Sequence, residues 1–508
     1  MIASSLLILF LFPLYKILGK SPVDLHIILY IRIAFKKTFG EAPAMLEKFL
    51  SDAVPLLWGR GTIALTLICG LYFTVFTGFP PVLHPIFFIK NTFGTLFHKK
   101  SGRHISPFAA GSTALGGTMG VGNILGVGAA MALGGAGSIF WMWIGAFLGM
   151  MTKYTEVFLA VRWHEPDPRS HSFRGGPMYY MAKGIPNFLG KILAVLFCLF
   201  CILSSFTSGS MSQTNAISLS LSQSFSLSSS ASVLLVLGFC LWIFQGGCDR
   251  AVKTCSALVP AMSLFYLGGC IAVLVHFREN ILPSIARIFS EAFAGPGVPG
   301  ISVGMFTAMR VGISRGIFTH EAGLGSASIA HSCSDCSQPV EQGFWGVFEV
   351  FCDTIVICTA TALMILASGV PFSASAALDS FISVMGQKGG QALSLSVSLF
   401  ALASVVSFCL YGQRCIEYLF PRSEAALFWY RLIFLIGCCA GCFGRFTTVL
   451  LFSDFLDVCL LLPNLLALVI LSPEVFSATK AYYLKGENNP CLSAPPHKNQ
   501  SQKNGCSC

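Results

Sequence analysis

The chain has 508 residues, of which 54% are hydrophobic and only 11% charged, and it carries a formal net charge of +10. Soluble domains carry about 25% charged residues, so an ordinary soluble enzyme and a disordered chain are excluded. The basic residues lie in short connectors between apolar runs and never gather into one basic domain, which excludes a nucleic-acid partner and fits a polytopic membrane protein.

A membrane-spanning helix needs about 20 mostly apolar residues. The first apolar run, 2–19, stands apart from the others. If it spanned the membrane, Lys20, Arg32, Lys36, Lys37 and Lys48 would fall on the wrong side. It also lacks a basic n-region and a clear A-x-A cleavage site. Residues 1–44 are therefore read as an N-terminal extension: signal-like, interfacial or not translated. Eleven core runs follow, at 55–78, 108–134, 138–161, 190–212, 232–247, 255–276, 303–330, 342–368, 392–416, 427–444 and 450–471. They are continuous rather than alternating, which predicts an all-α integral membrane bundle of about 11 helices and not a β-barrel. Residues 45–107 then hold one extra transmembrane helix and its connector, and 472–508 form a tail. The composition of 486–508 reads as a disordered end.

The connectors orient the bundle. Lys90, Lys99, Lys100 and Arg103, then Arg162, Arg169, Arg174, Lys183 and Lys191, then Arg250 and Lys253, then Arg422 and the basic tail all fall on one face. The other face has Arg278, Arg287, Lys388 and Arg445. The first face, with the C-terminus, is therefore cytoplasmic.

Two core runs are interrupted by glycine and polar residues, Gly116–Asn123 and Ser314–Gly325. Irregular backbone at membrane depth is tolerated only where it is buried in protein or lines a cavity. Each interrupted run opens a set of five helices, 108–276 and 303–471. An odd number of helices inverts the second set relative to the first. An inverted five-plus-five repeat with a discontinuous first helix in each half is the pattern of LeuT-type secondary transporters, with substrate and ion near the midplane. Freed N–H groups at a half-helix start favour a carboxylate, and freed carbonyls favour a small cation. Gly122 and Gly126 also form a G-x-x-x-G packing motif. Packing alone does not call for Asn123, Thr319, His320 and Glu321 in the same stretches.

The other polar residues read more plainly. Most of the 20 cysteines lie in apolar runs as small fillers. His331, Cys333 and Cys336 lack a second matching pair, so no metal is expected beyond the coupling ion. Glu321 is expected to hold the unwound backbone or to pair with Arg315 or Arg310. Asp353 and Glu349 should face the bundle interior. Lys153 and Glu156, near a helix end, should snorkel or pair with each other. Asp454 and Asp457 should be interfacial. The serine-rich stretch 204–232 reads as a polar helix end and an external loop. No H-E-x-x-H, G-x-S-x-G or paired-carboxylate constellation marks a membrane enzyme.

At its interrupted runs the sequence resembles the alanine or glycine:cation symporter family. Gly117-Thr118-Met119-Gly120-Val121-Gly122-Asn123-Ile124-Leu125-Gly126-Val127 is similar to that family's G-T-x-G-x-G-N-I-x-G-V. Residues 134–143 follow its G-G-P-G-A-x-F-W-M-W, with Ala136 in place of proline. Thr152-Lys153-Tyr154-Thr155-Glu156 matches T-K-Y-x-E, and 175–180 matches G-G-P-M-Y-Y. Arg315–Gly323 resembles R-G-L-F-S-N-E-A-G, and 353–362 resembles D-T-I-x-x-C-T-A-T-A. The likeness runs from about residue 45 to residue 480.

The resemblance implies a symporter of the bacterial inner membrane. It imports a small neutral amino acid (alanine, D-alanine included, or glycine) with sodium, and a monomer suffices. Its substrate residues carry over to Gly117, Gly120, Gly122, Asn123, Gln213, Phe318, Thr319, His320 and Phe408. Its cation residues carry over to Thr118, Val121 and Ser404, and structural or gating roles fall to Glu321, Arg315 and Asp353. The implied partners are the amino acid, sodium and the lipid bilayer, with no cofactor besides the ion. Three departures stand out. Thr319-His320 replaces serine–asparagine, which keeps a hydroxyl and adds a titratable ring. Ala403-Ser404 replaces a serine–threonine pair and removes one oxygen. Phe408 replaces a tryptophan and leaves a slightly roomier pocket. Proton-coupled transport, and a transporter-like nutrient sensor or channel, stay open as alternatives.

Overall fold

A computed structural model describes residues 42–79, 85–92, 105–168, 172–295, 303–443 and 446–485. The N-terminal extension up to residue 41 and the tail from residue 486 lie outside the described residues.

The chain is almost wholly helical. Helix α1 (Ala42–Leu57) turns at Trp58-Gly59 into α2 (Arg60–Thr77), and α3 (Pro85–Thr92) follows. Helix α4 (Pro107–Thr118) starts cleanly, with Pro107 in its first turn and the Ser106 hydroxyl accepting from the Ala109 N–H. It stops at Met119-Gly120. A single 3-10 turn (Val121–Asn123) leads into α5 (Leu125–Gly134), so the first interrupted run is two half-helices. Helix α6 (Gly137–Arg162) follows, then a two-residue antiparallel pair, Glu165–Pro166 against Phe173–Arg174. Helix α7 (Pro177–Gly184) precedes α8 (Asn187–Ser204), a π-helical turn (Ser205–Met211) and α9 (Ser212–Phe225). Helix α10 (Ser229–His276) bends at Gly247, and α11 (Ile281–Ala292) is short.

The second half opens with α12 (Met305–His320), an irregular link and α13 (Ser328–His331). Helix α14 (Pro339–Val350), a second π turn (Phe351–Cys358) and α15 (Thr359–Ser368) form one span. Helices α16 (Ala376–Leu419, bent at Gly386), α17 (Glu424–Phe443) and α18 (Phe446–Lys485) close the chain. Among the described residues eight helices are long and apolar enough to span a membrane, and the two interrupted segments stand beside them. The runs 232–247 and 255–276 lie on the two sides of a non-helical kink at Gly247 (φ +57°, ψ −149°), so within Ser229–His276 they are two helices, as the sequence predicts.

Helix α14 packs closely on α6. A Cβ added at Gly343 or Gly346 of α14 would come within 2.7 Å of Tyr154 or 2.8 Å of Val157. Only glycine lets these backbones meet, as in small-residue contacts between membrane helices. The outward faces carry exposed Ile68, Val75, Leu234, Leu264 and Val275, an apolar surface suited to lipid. The 17 described cysteines are all free, and most are buried.

Several expectations about charge are overturned. Lys153 and Glu156 do not snorkel; both are completely buried, and of the two expectations it is the mutual pair that holds, at 4.0 Å. Asp454 and Asp457 are buried too, at 5% and 3% exposure, rather than interfacial. Glu321 pairs with neither Arg315 nor Arg310: Arg315 reaches across to Asp454, and Ser326 donates to Glu321. The serine-rich segment 204–225 is helix, with Ser205, Ser208, Ser210 and Ser212 buried. Asp353 and Glu349 do lie in the interior, both fully buried.

Candidate substrate and cation site

The two broken helices meet at a narrow cavity of about 20 Å³. Gly117, Thr118, Gly120 and Gly122 line it from the first break, and Phe318, Glu321, Leu324 and Ser326 from the second. Ser204, Ser208 and Gln213 face it from the third span (α8, its π turn and α9, Asn187–Phe225), Phe408 from α16 and Asp457 from α18.

The first break is shaped by partners outside its own helix. The Val121 N–H donates to Gln213 Oε1 at 3.2 Å, and Gln213 Nε2 donates to the Ser208 carbonyl at 3.1 Å. Ser404 Oγ donates to the Gly116 carbonyl at 2.9 Å, and Ser407 Oγ to the Thr113 carbonyl at 2.7 Å. The Thr118 hydroxyl turns back on its own helix, 3.4 Å from the Ala114 and Leu115 carbonyls. Gly120 is the crowded point: a Cβ there would lie 2.7 Å from Ser404 Oγ and 3.1 Å from the Gln213 amide. At Gly122 a Cβ would lie 3.1 Å from the Phe318 ring.

The second break is held open in a definite way. In an unbroken helix the N–H groups of Ala322, Gly323 and Leu324 would bond to the carbonyls of Phe318, Thr319 and His320. Instead the Ala322 N–H donates to His320 Nδ1 at 3.0 Å, and the Gly323 N–H to Glu156 Oε1 at 2.8 Å. The Leu324 N–H turns to the Glu321 carbonyl at 3.1 Å. Glu321 itself adopts a left-handed conformation, φ +52°. Three carbonyls at the end of α12 thus lose their helical donors, at the negative end of the helix dipole. Asn464 of α18 supports the same link, donating to Glu156 Oε1 at 2.8 Å and to the Gly323 carbonyl at 2.9 Å. Behind it, Lys153 lies 3.4 Å from Glu349 and 4.0 Å from Glu156. His331 Nε2 donates to Glu349 Oε2 at 2.8 Å, since its Nδ1 faces the Gln342 Nε2 donor at 2.8 Å.

Of the residues singled out in the sequence, Gly117, Thr118, Gly120, Gly122, Gln213, Phe318, Glu321 and Phe408 line the cavity. Ser404 and Val121 support it from one layer behind. Asn123, Thr319 and His320 do not line it. Asn123 points away and donates to Asp353 Oδ1 at 2.6 Å, because a wholly buried carboxylate needs donors and Thr354 supplies only one more. Thr319 bonds back to the Gly316 carbonyl at 2.8 Å. The His320 ring lies against Gly149 of α6. Arg315 lies above the Phe318 ring, its guanidinium 5.6 Å from the ring centre, while paired with Asp454. Ser204, Ser208, Leu324, Ser326 and Asp457 were missed by the sequence reading. The one available signal was the placement of Ser204 and Ser208 four residues apart, on one helix face. Among the described residues no three His, Cys, Asp or Glu side chains gather as a metal site, His331, Cys333 and Cys336 included.

Long apolar spans around two broken helices, with a polar cavity at the breaks, define an integral-membrane, cation-coupled amino acid transporter. The chain belongs to the sodium:alanine symporter family, whose sequence model matches residues 43–492. It is 35% identical over 440 residues to the sodium/alanine symporter AgcS of Methanococcus maripaludis, covering 84% of this chain and 95% of that one. It is 32% identical over 446 residues to the probable sodium/glutamine symporter GlnT of Bacillus subtilis, covering 86% and 91%. The crystal structure of MhsT in complex with L-phenylalanine shares the fold, a LeuT-type one, with a TM-score of 0.55 and 17% identity. That match covers 76% of this chain and 93% of MhsT.

Proposed function

We propose that the chain imports a small neutral amino acid, alanine or glycine, together with sodium, by alternating access. The observation that carries this reading is the pairing of two opposite backbone ends at one small cavity. The turn after the first break offers N–H groups to a substrate carboxylate. Of the carbonyls released at the end of α12, that of Phe318, a cavity residue, suits its ammonium. Phe318 and Phe408 wall a narrow cavity, which favours a short side chain. Sodium fits the end of α4, where the Ser404 hydroxyl already meets the Gly116 carbonyl. Ala403 leaves that site one hydroxyl poorer, so sodium affinity is set by carbonyls more than by side chains. On this reading 45–107 is an additional helix with its connector, and 108–276 and 303–471 are the inverted halves. The basic connectors support a cytoplasmic C-terminus in a bacterial inner membrane, and a monomer contains the whole site.

His320, bonded to the Ala322 N–H and packed away from the cavity, supports a structural imidazole over a proton carrier. Asn123 serves the site through Asp353 rather than by touching substrate. The test is uptake of radiolabelled alanine and glycine into proteoliposomes under imposed sodium or proton gradients. Unlabelled glutamine joins the competition panel, since one relative is named for it. Accumulation that collapses with the sodium gradient supports the proposal. Accumulation driven by protons alone overturns sodium coupling, and no concentrative uptake under either gradient sinks the symport reading.

A further inference from the structure

The first break and Ser404 account for one coupling ion, but they leave the acidic side of the cavity unexplained. Around the breaks Glu156, Glu321, Glu349, Asp353, Asp454 and Asp457 are buried, and among the described residues only Lys153 and Arg315 stand near them as permanent cations. Glu349 has Lys153 and His331 at 3.4 and 2.8 Å, and Glu156 has three donors or cations. Asp353 has Asn123 and Thr354, and Asp454 has Arg315. Two acids remain, and both face the cavity: Glu321, which receives only the Ser326 hydroxyl, and Asp457. Asp457 Oδ2 has no hydrogen-bond partner, and its charged neighbours are Asp454, Glu321 and Arg315, the last already engaged.

A second, independent observation points into the same space. Ser208, on the π turn of the third span, is 4% exposed and lines the cavity with an unpartnered hydroxyl. A π turn places an extra residue in a helix and re-aims the side chains it carries, which is common at functional sites. Intramembrane acids are retained where they serve an ion or substrate pathway. Two carboxylates and two hydroxyls on one small cavity make an oxygen-only ligand set for a hard cation.

We propose that Glu321, Asp457, Ser208 and Ser326 form a second sodium site, on the α18 side of the cavity and separate from the one at the end of α4. Sodium there offsets the charge of the two acids, and it ties α18 to the broken α12–α13 segment and to the third span whenever it is bound. The assignment rests on the sodium-coupled reading above, and it is read out without any amino acid so that the two can fail separately.

The experiment is equilibrium binding of radioactive sodium-22 to the purified full chain in detergent, with no amino acid present. The wild type is expected to saturate at about two ions per chain, one at each oxygen-lined site. Asp457→Asn should saturate at one fewer, and Ser208→Ala should keep both while weakening one several-fold (about 1 kcal/mol for a fivefold change). Ser208→Ala serves as the arbiter if Asp457→Asn does not fold, as judged by gel filtration. A wild type that binds one ion, or an Asp457→Asn protein with an unchanged count, overturns the second site and leaves sodium symport standing. A wild type that binds no sodium removes both. An unchanged sodium count with alanine affinity lost in Asp457→Asn assigns the acids to the substrate ammonium and overturns the proposal.

Discussion

Asn123→Ala is expected to abolish uptake, and the structure says through what. Asn123 Nδ2 is one of two side-chain donors to the fully buried Asp353 carboxylate, at 2.6 Å, the other being Thr354 at 2.8 Å. Hydrogen bonds to charged groups contribute about 1.5–3 kcal/mol, and a buried acceptor left without its donor costs about 1–3 kcal/mol. The substitution should therefore cost about 2 kcal/mol of stability, roughly a thirtyfold change in any equilibrium that needs Asp353 in place. The assay is a double-mutant cycle on alanine binding and on thermal melting in detergent, with Asn123→Ala, Asp353→Ala and the pair. If Asn123 acts through Asp353, the double variant should be no worse than the worse single, with a coupling of about 1–2 kcal/mol. If the two losses in alanine affinity simply add, within about 0.5 kcal/mol, then Asn123 contacts substrate on its own account and the reasoning here is refuted.

Three further outcomes are expected. Gly120→Ala should force a methyl against Ser404 Oγ and Gln213, 2.7 and 3.1 Å away, at about 1–3 kcal/mol. That should appear as uptake reduced at least tenfold at fixed sodium, and uptake within error of wild type would show that the break yields easily. Lys153→Met leaves Glu349 and Glu156 without their buried cation, a loss of about 3–5 kcal/mol. Membrane expression should fall and should recover in the Lys153→Met, Glu349→Gln double variant; no recovery would break the proposed charge link. His320→Asn replaces one acceptor for the Ala322 N–H by another, so uptake should stay within tenfold (about 1.4 kcal/mol) of wild type. Its profile from pH 6 to pH 8 should match the wild type, and an altered profile would return His320 to a proton role.

The bundle and its two breaks were legible because membrane helices are nearly free of polar residues, so Gly116–Asn123 and Ser314–Gly325 stood out against an apolar background. Lining residues such as Gly120, Gly122 and Phe318 could be named for that reason. What a sequence does not record is the direction in which a polar side chain points once the helix breaks. Asn123 and Phe318 sit in equally suggestive motifs, yet Asn123 turns to Asp353 while Phe318 faces the cavity. Lys153 and Asp457 were misplaced for another reason. Their distance from an apparent helix end was counted along one helix, whereas their depth is set by neighbouring helices that extend past that end. The π turns at 205–211 and 351–358 leave no compositional trace, since they differ from α-helix only in hydrogen-bond register.

Two of the side chains that hold open the second break do not belong to it. Glu156 comes from α6 and Asn464 from α18, and between them they fix both the N–H and the carbonyl of Gly323. A scaffold that rocks α6 against α18 during transport must therefore pull on that one residue from two sides. Such a tug would tilt the three free carbonyls of α12 and change their grip on whatever they hold. Affinity and access then become one mechanical variable: the helix movement that opens a path to water also loosens the ligand, without any separate trigger for release.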